Sequence, residues 1–219
     1  MPEGWTTTTL GAVAVWYSGG TPRAGEPMFY EGGTIPWVVI ADMANGDIRQ
    51  TETLITPDGL EQIGGRLAPI GSTLISMYAT VGRAAYTHIR VATNQAIAWS
   101  IPDEKKINSF FLFLVAQSLE STIASMARGA TQRNINRAML REFEFQLPTL
   151  LEQKRIVDLM TSVDSYIAAL GKSQSQTGNY PGLLPRARHL RYALLIDLLS
   201  GNHEIPESYD AMFGNLGST

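Results

Sequence analysis

The feature that most constrains this chain is a change of period at Pro148-Thr149-Leu150-Leu151-Glu152-Gln153-Lys154-Arg155-Ile156-Val157. Gly- and Pro-punctuated sequence precedes it, and helical periodicity follows. Thr149 with Glu152 three residues on is a capping-box pattern, in which each side chain satisfies a backbone N–H that the first helical turn leaves unpaired. The spacing predicts a helix starting here. Ile156, Met160, Val163, Ile167 and Leu170 then recur at intervals of 4, 3, 4 and 3, an a/d seam that wants another helix against it. The same stripe suits an amphipathic helix resting on its own domain, and on pattern alone that is the simpler reading.

A chain of 219 residues with 44% hydrophobic content can bury a real core, as one large domain or as one domain with an accessory piece. It has no cysteine, which excludes a disulfide framework and a thiolate metal site and permits a reducing cytosol. The N-terminus, Met-Pro-Glu-Gly-Trp, has neither the basic nor the apolar region of a signal peptide, and no run is read as approaching the roughly 18 apolar residues of a membrane span. A soluble, cytoplasmic protein with no membrane partner is expected. The formal charge of -3 argues against nucleic-acid binding by bulk charge, but distribution matters more than the sum. Between residues 121 and 141 stand Arg128, Arg133, Arg137 and Arg141 with no acid, whereas the first 100 residues hold five basic and eight acidic side chains.

Along the chain, Leu10 to Tyr17 reads as a strand, and Ser18-Gly19-Gly20-Thr21-Pro22 can only be turn or loop. Ile35 to Ile40 fits a buried strand, and Thr56-Pro57-Asp58-Gly59 a helix entry. Thr73 to Tyr78 and Ala84 to Ile89 read as strands separated by a bend or hairpin. Ala92 to Trp99 reads as another, with Asn94 and Gln95 as amides buried among apolar neighbours. Asn108 to Ala127 is a helix capped by Asn108 or Ser109; a short helix from about Ala138, capped by Asn136, leads to the strand Phe143 to Leu147. After the opening helix, Gly178 to Gly182 breaks the pattern, and a second helix runs from about Pro185 to Leu199 with Leu184, Ala187, Leu194 and Leu198 as its apolar stripe. Strands and helices without a βαβ rhythm indicate an α+β fold.

The search for catalytic chemistry returns little. His88, His189 and His203 are scattered through strand, helix and tail, so neither a metal cluster nor a His-based triad is signalled. The Gly-Gly turns match neither a P-loop nor a dinucleotide fingerprint. No Gly-rich methyltransferase loop and no paired carboxylates for a nuclease metal are visible. Binding is better supported. Around Arg128 to Arg141, arginines that can neutralise phosphates stand among Gln132, Asn134 and Asn136, amides that can pair with base edges. By composition the same stretch also fits an ordinary surface loop. Trp37 and Trp99 are read as core.

Taken in order, these stretches resemble the DNA-specificity (S) subunits of type I restriction-modification systems. The likeness begins with Trp5, Leu10-Gly11 and Gly19-Gly20-Thr21-Pro22. It continues through Tyr30, Gly32, Ile35-Pro36-Trp37, Asp42, Ile55-Thr56, Gly59 and Leu67 to Gly71. It runs on through Ser76-Met77, Ala79-Thr80, Gly82, Ala92-Thr93-Asn94-Gln95-Ala96, Gly129-Ala130-Thr131-Gln132 and Asn134-Ile135-Asn136. It closes with Leu147-Pro148, Glu152-Gln153, Arg155-Ile156-Val157, Leu190-Arg191, Leu194-Leu195, Leu198-Leu199 and Gly201.

The resemblance implies a mixed α/β target-recognition domain at 1–148, a coiled-coil-like spacer of two helices at 149–201 that also docks partners, and a polar tail at 202–219. Members of this family carry two such units in tandem, each reading one half of an interrupted duplex-DNA site. Modification subunits holding S-adenosylmethionine and methylating adenine dock on the spacer, and motor-nuclease subunits add cleavage. One unit here implies a half subunit that pairs with a second copy or another half, or a fragment. No cofactor is expected in this chain itself, which is read as non-catalytic. The expected DNA-facing residues are Arg128, Thr131, Gln132, Arg133, Asn134 and Arg137, with Thr21, Arg23, Tyr78, Thr80 and Arg83 from other loops; Ile156, Met160, Val163, Ile167, Leu170, Leu194 and Leu198 are expected to pack helices or partners. The alternative is a half subunit that no longer reads DNA and serves as a scaffold or regulator of modification subunits.

Overall fold

The computed structural model describes residues 2–129, 134–177 and 182–202. The chain divides into two compact units, Thr8–Phe145 and Met1–Thr7 with Gln146–Thr219. The sequence reading divides it after residue 148 and assigns the first residues to the recognition domain. The structure moves the division to Phe145 and groups the N-terminal segment with the helices.

In chain order the elements are β1 (Thr6–Thr9), α1 (Leu10–Val13), β2 (Ala14–Ser18), β3 (Ile35–Val38), β4 (Asp47–Ile48), β5 (Thr53–Ile55) and α2 (Pro57–Gln62), followed by β6 (Thr73–Ser76), β7 (Ala84–Thr87), β8 (Ala92–Thr93) and β9 (Ile97–Pro102). Then come α3 (Ser109–Gly129), α4 (Arg137–Arg141), β10 (Glu144–Leu147), α5 (Leu150–Thr177) and α6 (Leu183–Leu199). This is an α+β fold.

The larger unit is built on a five-stranded sheet of order β2-β9-β6-β7-β4 and a three-stranded sheet of order β5-β3-β8. β6 is antiparallel to both β7 and β9, and β2 is antiparallel to β9. All four residues of β6, Thr-Leu-Ile-Ser, are buried, as a central strand covered on both faces must be. One face meets α3, whose Phe111 to Ala116 are buried. The other carries Leu74, Ala85, Ile97 and Trp99 in a cluster with Val38, Met43, Ile48 and Val91. Ser109–Ala127 is long and apolar enough to cross a membrane by length and composition, closer to a span than the sequence reading allows; much of it lies inside this core.

Two local expectations are corrected. The run Leu10 to Tyr17 begins with a helical turn, α1, whose Leu10 and Val13 are buried, and only Ala14 onward is strand. The run Ala92 to Trp99 is two strands in different sheets, so Asn94 and Gln95 occupy the turn between them. Caps follow the sequence: Thr56 Oγ1 accepts the Gly59 N–H at 3.1 Å, Asn108 Oδ1 the Phe110 and Phe111 N–H groups at 2.9 and 3.0 Å, and Asn136 Oδ1 that of Met139 at 2.9 Å. Trp37 and Trp99 are core residues, 8% and 3% exposed.

In the helical unit, α5 and α6 pack against each other. Arg191 pairs with Asp164, and Leu184 lies beside Gly171, so the two helices run antiparallel. The seam finds the chain's own α6. Ile156 and Met160 are buried at 1% and 0% exposure, while Val163, Ile167 and Leu170 are half-buried. On α6, Leu198 is buried as expected, but Leu195 at 0% exposure takes the central place given to Leu194, which is half-buried. α6 starts at Leu183, two residues before Pro185, and Gly182 enters it at φ 109, a conformation that favours glycine. The rest of the expected 178–182 break lies outside the described residues, as does the tail from 203.

At the start of α5, Glu152 N–H donates to Thr149 Oγ1 at 3.3 Å, one half of the capping box. The Glu152 carboxylate accepts the Trp5 indole N–H at 2.7 Å in place of the reciprocal bond. Trp5, 4% exposed, and Pro2 also border Gly201. The N-terminal segment thus helps close the helical unit.

Candidate nucleic-acid interface

β2 and β6 end, and β9 and β7 begin, at one end of the five-stranded sheet, because β9 is antiparallel to β2 and β6, and β7 is antiparallel to β6. The loops emerging there are 19–23, 77–83 and 94–96. Met77 ties this edge to a further segment: its N–H donates to the Ala96 carbonyl at 2.7 Å and its carbonyl accepts the Ile135 N–H at 3.2 Å. One residue therefore joins the 77–83 loop to the 94–96 turn and to the entry of α4.

The 19–23 loop is fastened to the same turn. Gly20 N–H donates to the Thr93 carbonyl at 2.9 Å, and the Thr21 hydroxyl donates to Gln95 Oε1. Its inner side is held by the Trp37 indole on the Gly20 carbonyl at 3.1 Å and the Tyr30 hydroxyl on the Pro22 carbonyl at 2.7 Å. Gly19 admits no side chain, since a Cβ there would stand 1.8 Å from the Thr93 carbonyl oxygen. The loop is a fixed support presenting Thr21 and Arg23 to solvent.

The 77–83 loop is braced internally. Gly82 N–H donates to the Ser76 carbonyl at 2.9 Å, Arg83 N–H to the Thr80 carbonyl at 3.2 Å, and the Ser76 hydroxyl to that same Thr80 carbonyl. At its tip Tyr78, Ala79 and Thr80 are exposed, and Ala79 has φ 55, a left-handed conformation that costs a residue with a Cβ about 1–2 kcal/mol. A strained tip kept in place by surrounding bonds is a common property of ligand-facing loops.

Of the expected DNA-facing residues, Thr21, Arg23, Tyr78 and Thr80 are exposed on these loops, and Arg83 is half-buried at the base of one. Asn134 is exposed in the segment joined to Met77, and Arg137 is the exposed first residue of α4. Thr131, Gln132 and Arg133 lie outside the described residues. Arg128 belongs to α3, but its side chain is likewise outside the description.

Two residues were misjudged from sequence. Gln95, read as a buried amide, is exposed and accepts from Thr21; Asn94 is half-buried and its Oδ1 accepts the Ala96 N–H at 3.0 Å, shaping the turn. A side chain able to bond its own backbone two residues on is a turn signal that could have identified it. His88, bonded to Asp47 Oδ1 at 2.9 Å, sits at the opposite end of β7 and takes no part in this edge. Among the described residues no group of three His, Cys, Asp or Glu side chains could hold a metal ion.

The edge offers hydroxyls, an amide, an aromatic ring and arginines on a rigid frame, the groups that bind phosphates and base edges. The chain is 27% identical over 162 residues to the type I restriction enzyme EcoR124I/EcoR124II specificity subunit of Escherichia coli, a match covering 72% of this chain and 40% of that subunit. It is 25% identical over 171 residues to the type I restriction enzyme MjaIX specificity subunit of Methanocaldococcus jannaschii, covering 76% of this chain and 39% of that one. The chain thus spans less than half the length of these relatives. Its fold matches the crystal structure of the HsdS subunit from Thermoanaerobacter tengcongensis with a TM-score of 0.62 at 22% identity, over 93% of this chain and 46% of that one. Residues 2–177 match the model of the type I restriction modification DNA specificity domain, and the chain belongs to that family.

Proposed function

We propose that this chain is a half-length specificity subunit that reads the sequence of duplex DNA for a type I restriction-modification complex. The unit Thr8–Phe145 is the reader, and the helical unit is the spacer that docks modification subunits and a second half subunit. The observation that carries this reading is the pair of backbone hydrogen bonds from Met77 to Ala96 and from Ile135 to Met77, which gathers the loops bearing Thr21, Tyr78, Thr80, Gln95 and Asn134 onto one edge. Hydroxyls and amides held on a frame of this kind discriminate bases, and Arg23, Arg83 and Arg137 serve phosphates.

The chain does no chemistry of its own. Adenine methylation with S-adenosylmethionine belongs to the modification subunit, cleavage to motor-nuclease subunits, and the complex works in the cytoplasm. Large exposed apolar side chains on the helices, Tyr166 at 67% and Leu190 at 68%, support the docking role.

The test is DNA protection by the full chain with and without an adenine-methyltransferase subunit. Protection of one defined sequence, dependent on both proteins, is expected. Assembly of the two proteins with no sequence preference would favour the scaffold reading instead.

A further inference from the structure

The segment 60–66, the end of α2 and the turn that follows it, carries a basic group outside the loops described above. Ile63 lies against Gly20, where an added Cβ would come within 2.8 Å of Ile63 Cβ, and Gln62 Oε1 accepts the Arg23 N–H at 2.8 Å. The segment is therefore fastened along the 19–23 loop. Three residues beyond Ile63, exposed Arg66 holds its guanidinium carbon 5.2 Å from the centroid of the Tyr17 ring. Tyr17 in turn stacks on Trp99, with centroids 4.6 Å apart and planes at 27°. Since Trp99 is 3% exposed, the three groups form a column from the core to the surface. The column stands at the end of β2, one residue before Ser18, where the 19–23 loop leaves the sheet.

A guanidinium held over a ring through its charge keeps N–H donors that suit a phosphate. Holding the group on a ring also reduces the side-chain freedom lost on binding. Two other arginines near this sheet have side-chain partners: Arg23 lies 3.9 Å from Glu26, and Arg49 Nη2 lies 3.3 Å from His88 Nε2. Arg66 has no carboxylate partner among the described residues.

We propose that Arg66, held over the Tyr17–Trp99 column, contacts a backbone phosphate of duplex DNA and extends the interface to the 60–66 segment. The inference rests on the reading of the neighbouring loops as DNA-facing. A phosphate contact fixes the position of the duplex and carries no sequence information. Its loss weakens binding to every sequence alike.

The experiment uses the full chain assembled with its modification subunit, titrated with its selected duplex and with a random-sequence duplex over a range of salt. R66A is expected to lower affinity for both duplexes by the same factor and to reduce the slope of log affinity against log salt by about 0.9. R66K, which keeps the charge and loses the guanidinium's fork of donors, should retain the slope and bind more weakly than the unmodified chain. Y17F, which keeps the ring, should match the unmodified chain. Unchanged affinity and slope for R66A would overturn the inference and leave the loop reading intact; so would a loss confined to the selected duplex. Equal losses of thermal stability in R66A and R66K would assign Arg66 a structural role and also overturn it. Absence of salt-dependent binding by the unmodified assembly would overturn the loop reading, and this inference with it.

Discussion

The Trp5 indole N–H donates to the Glu152 carboxylate at 2.7 Å across 147 residues of sequence. This bond ties the N-terminal segment to the first turn of α5 and makes Met1–Thr7 part of the helical unit. Trp5→Phe keeps most of the buried ring and removes the donor, leaving a part-buried carboxylate short of a partner. The expected cost is about 1–3 kcal/mol, read by denaturant unfolding. Trp5→Phe should leave the fold of Thr8–Phe145 unchanged in hydrogen exchange.

A second prediction concerns the register of the hairpin. Arg191, whose side chain is 14% exposed, makes a forked pair with Asp164, including Nη2 to Oδ2 at 2.8 Å. Asp164→Ala removes the carboxylate from this mostly buried pair and should destabilise the helical unit by about 2–3 kcal/mol, less than for a fully buried pair because Asp164 is 38% exposed. The charge-swapped double variant D164R/R191D should recover part of this, which a double-mutant cycle would measure.

The two sides of the helices should respond differently. Met160 is wholly buried, and Met160→Ala should cost about 2–4 kcal/mol through the cavity it leaves. Tyr166 and Leu190 are mostly exposed, so Tyr166→Glu and Leu190→Glu should leave unfolding midpoints nearly unchanged. If the helical unit docks partners through these side chains, both variants should weaken association with the modification subunit or a second copy in analytical ultracentrifugation. Unchanged association would remove this face from the docking surface.

Much of this was legible in the sequence because it depends on local rules. Thr56, Asn108 and Asn136 cap the helices their positions announce, and the Ile156–Met160 seam finds a helix. What escaped depends on distant pairing. Nothing near Glu152 signals that Trp5 will occupy its carboxylate, and nothing near Met77 signals that its backbone will join Ala96 to Ile135. Asn94 and Gln95 were misread because apolar residues on both sides belong to two different sheets, a fact of topology that period-2 counting cannot register. The expected DNA-facing residues therefore include several from the loops at this edge and omit Gln95, which the structure places beside them.

The strained tip offers a fourth prediction. Ala79→Gly relieves the left-handed strain and should stabilise the domain by up to about 1 kcal/mol, while Ala79→Val should lower stability. If the loop is preorganised for DNA, Ala79→Gly should also weaken binding, since a freer tip loses more entropy on association.

The central claim is that the edge knotted by Met77 reads DNA sequence. Selection of bound duplexes from a random pool, by the full chain assembled with an adenine-methyltransferase subunit, tests it most directly when repeated with Thr80→Ala and Gln95→Ala. The account predicts one enriched sequence for the unmodified chain and relaxed preference at particular bases for each variant, worth about 1–3 kcal/mol per lost base contact. Enrichment of the same sequence to the same degree by all three proteins would contradict it.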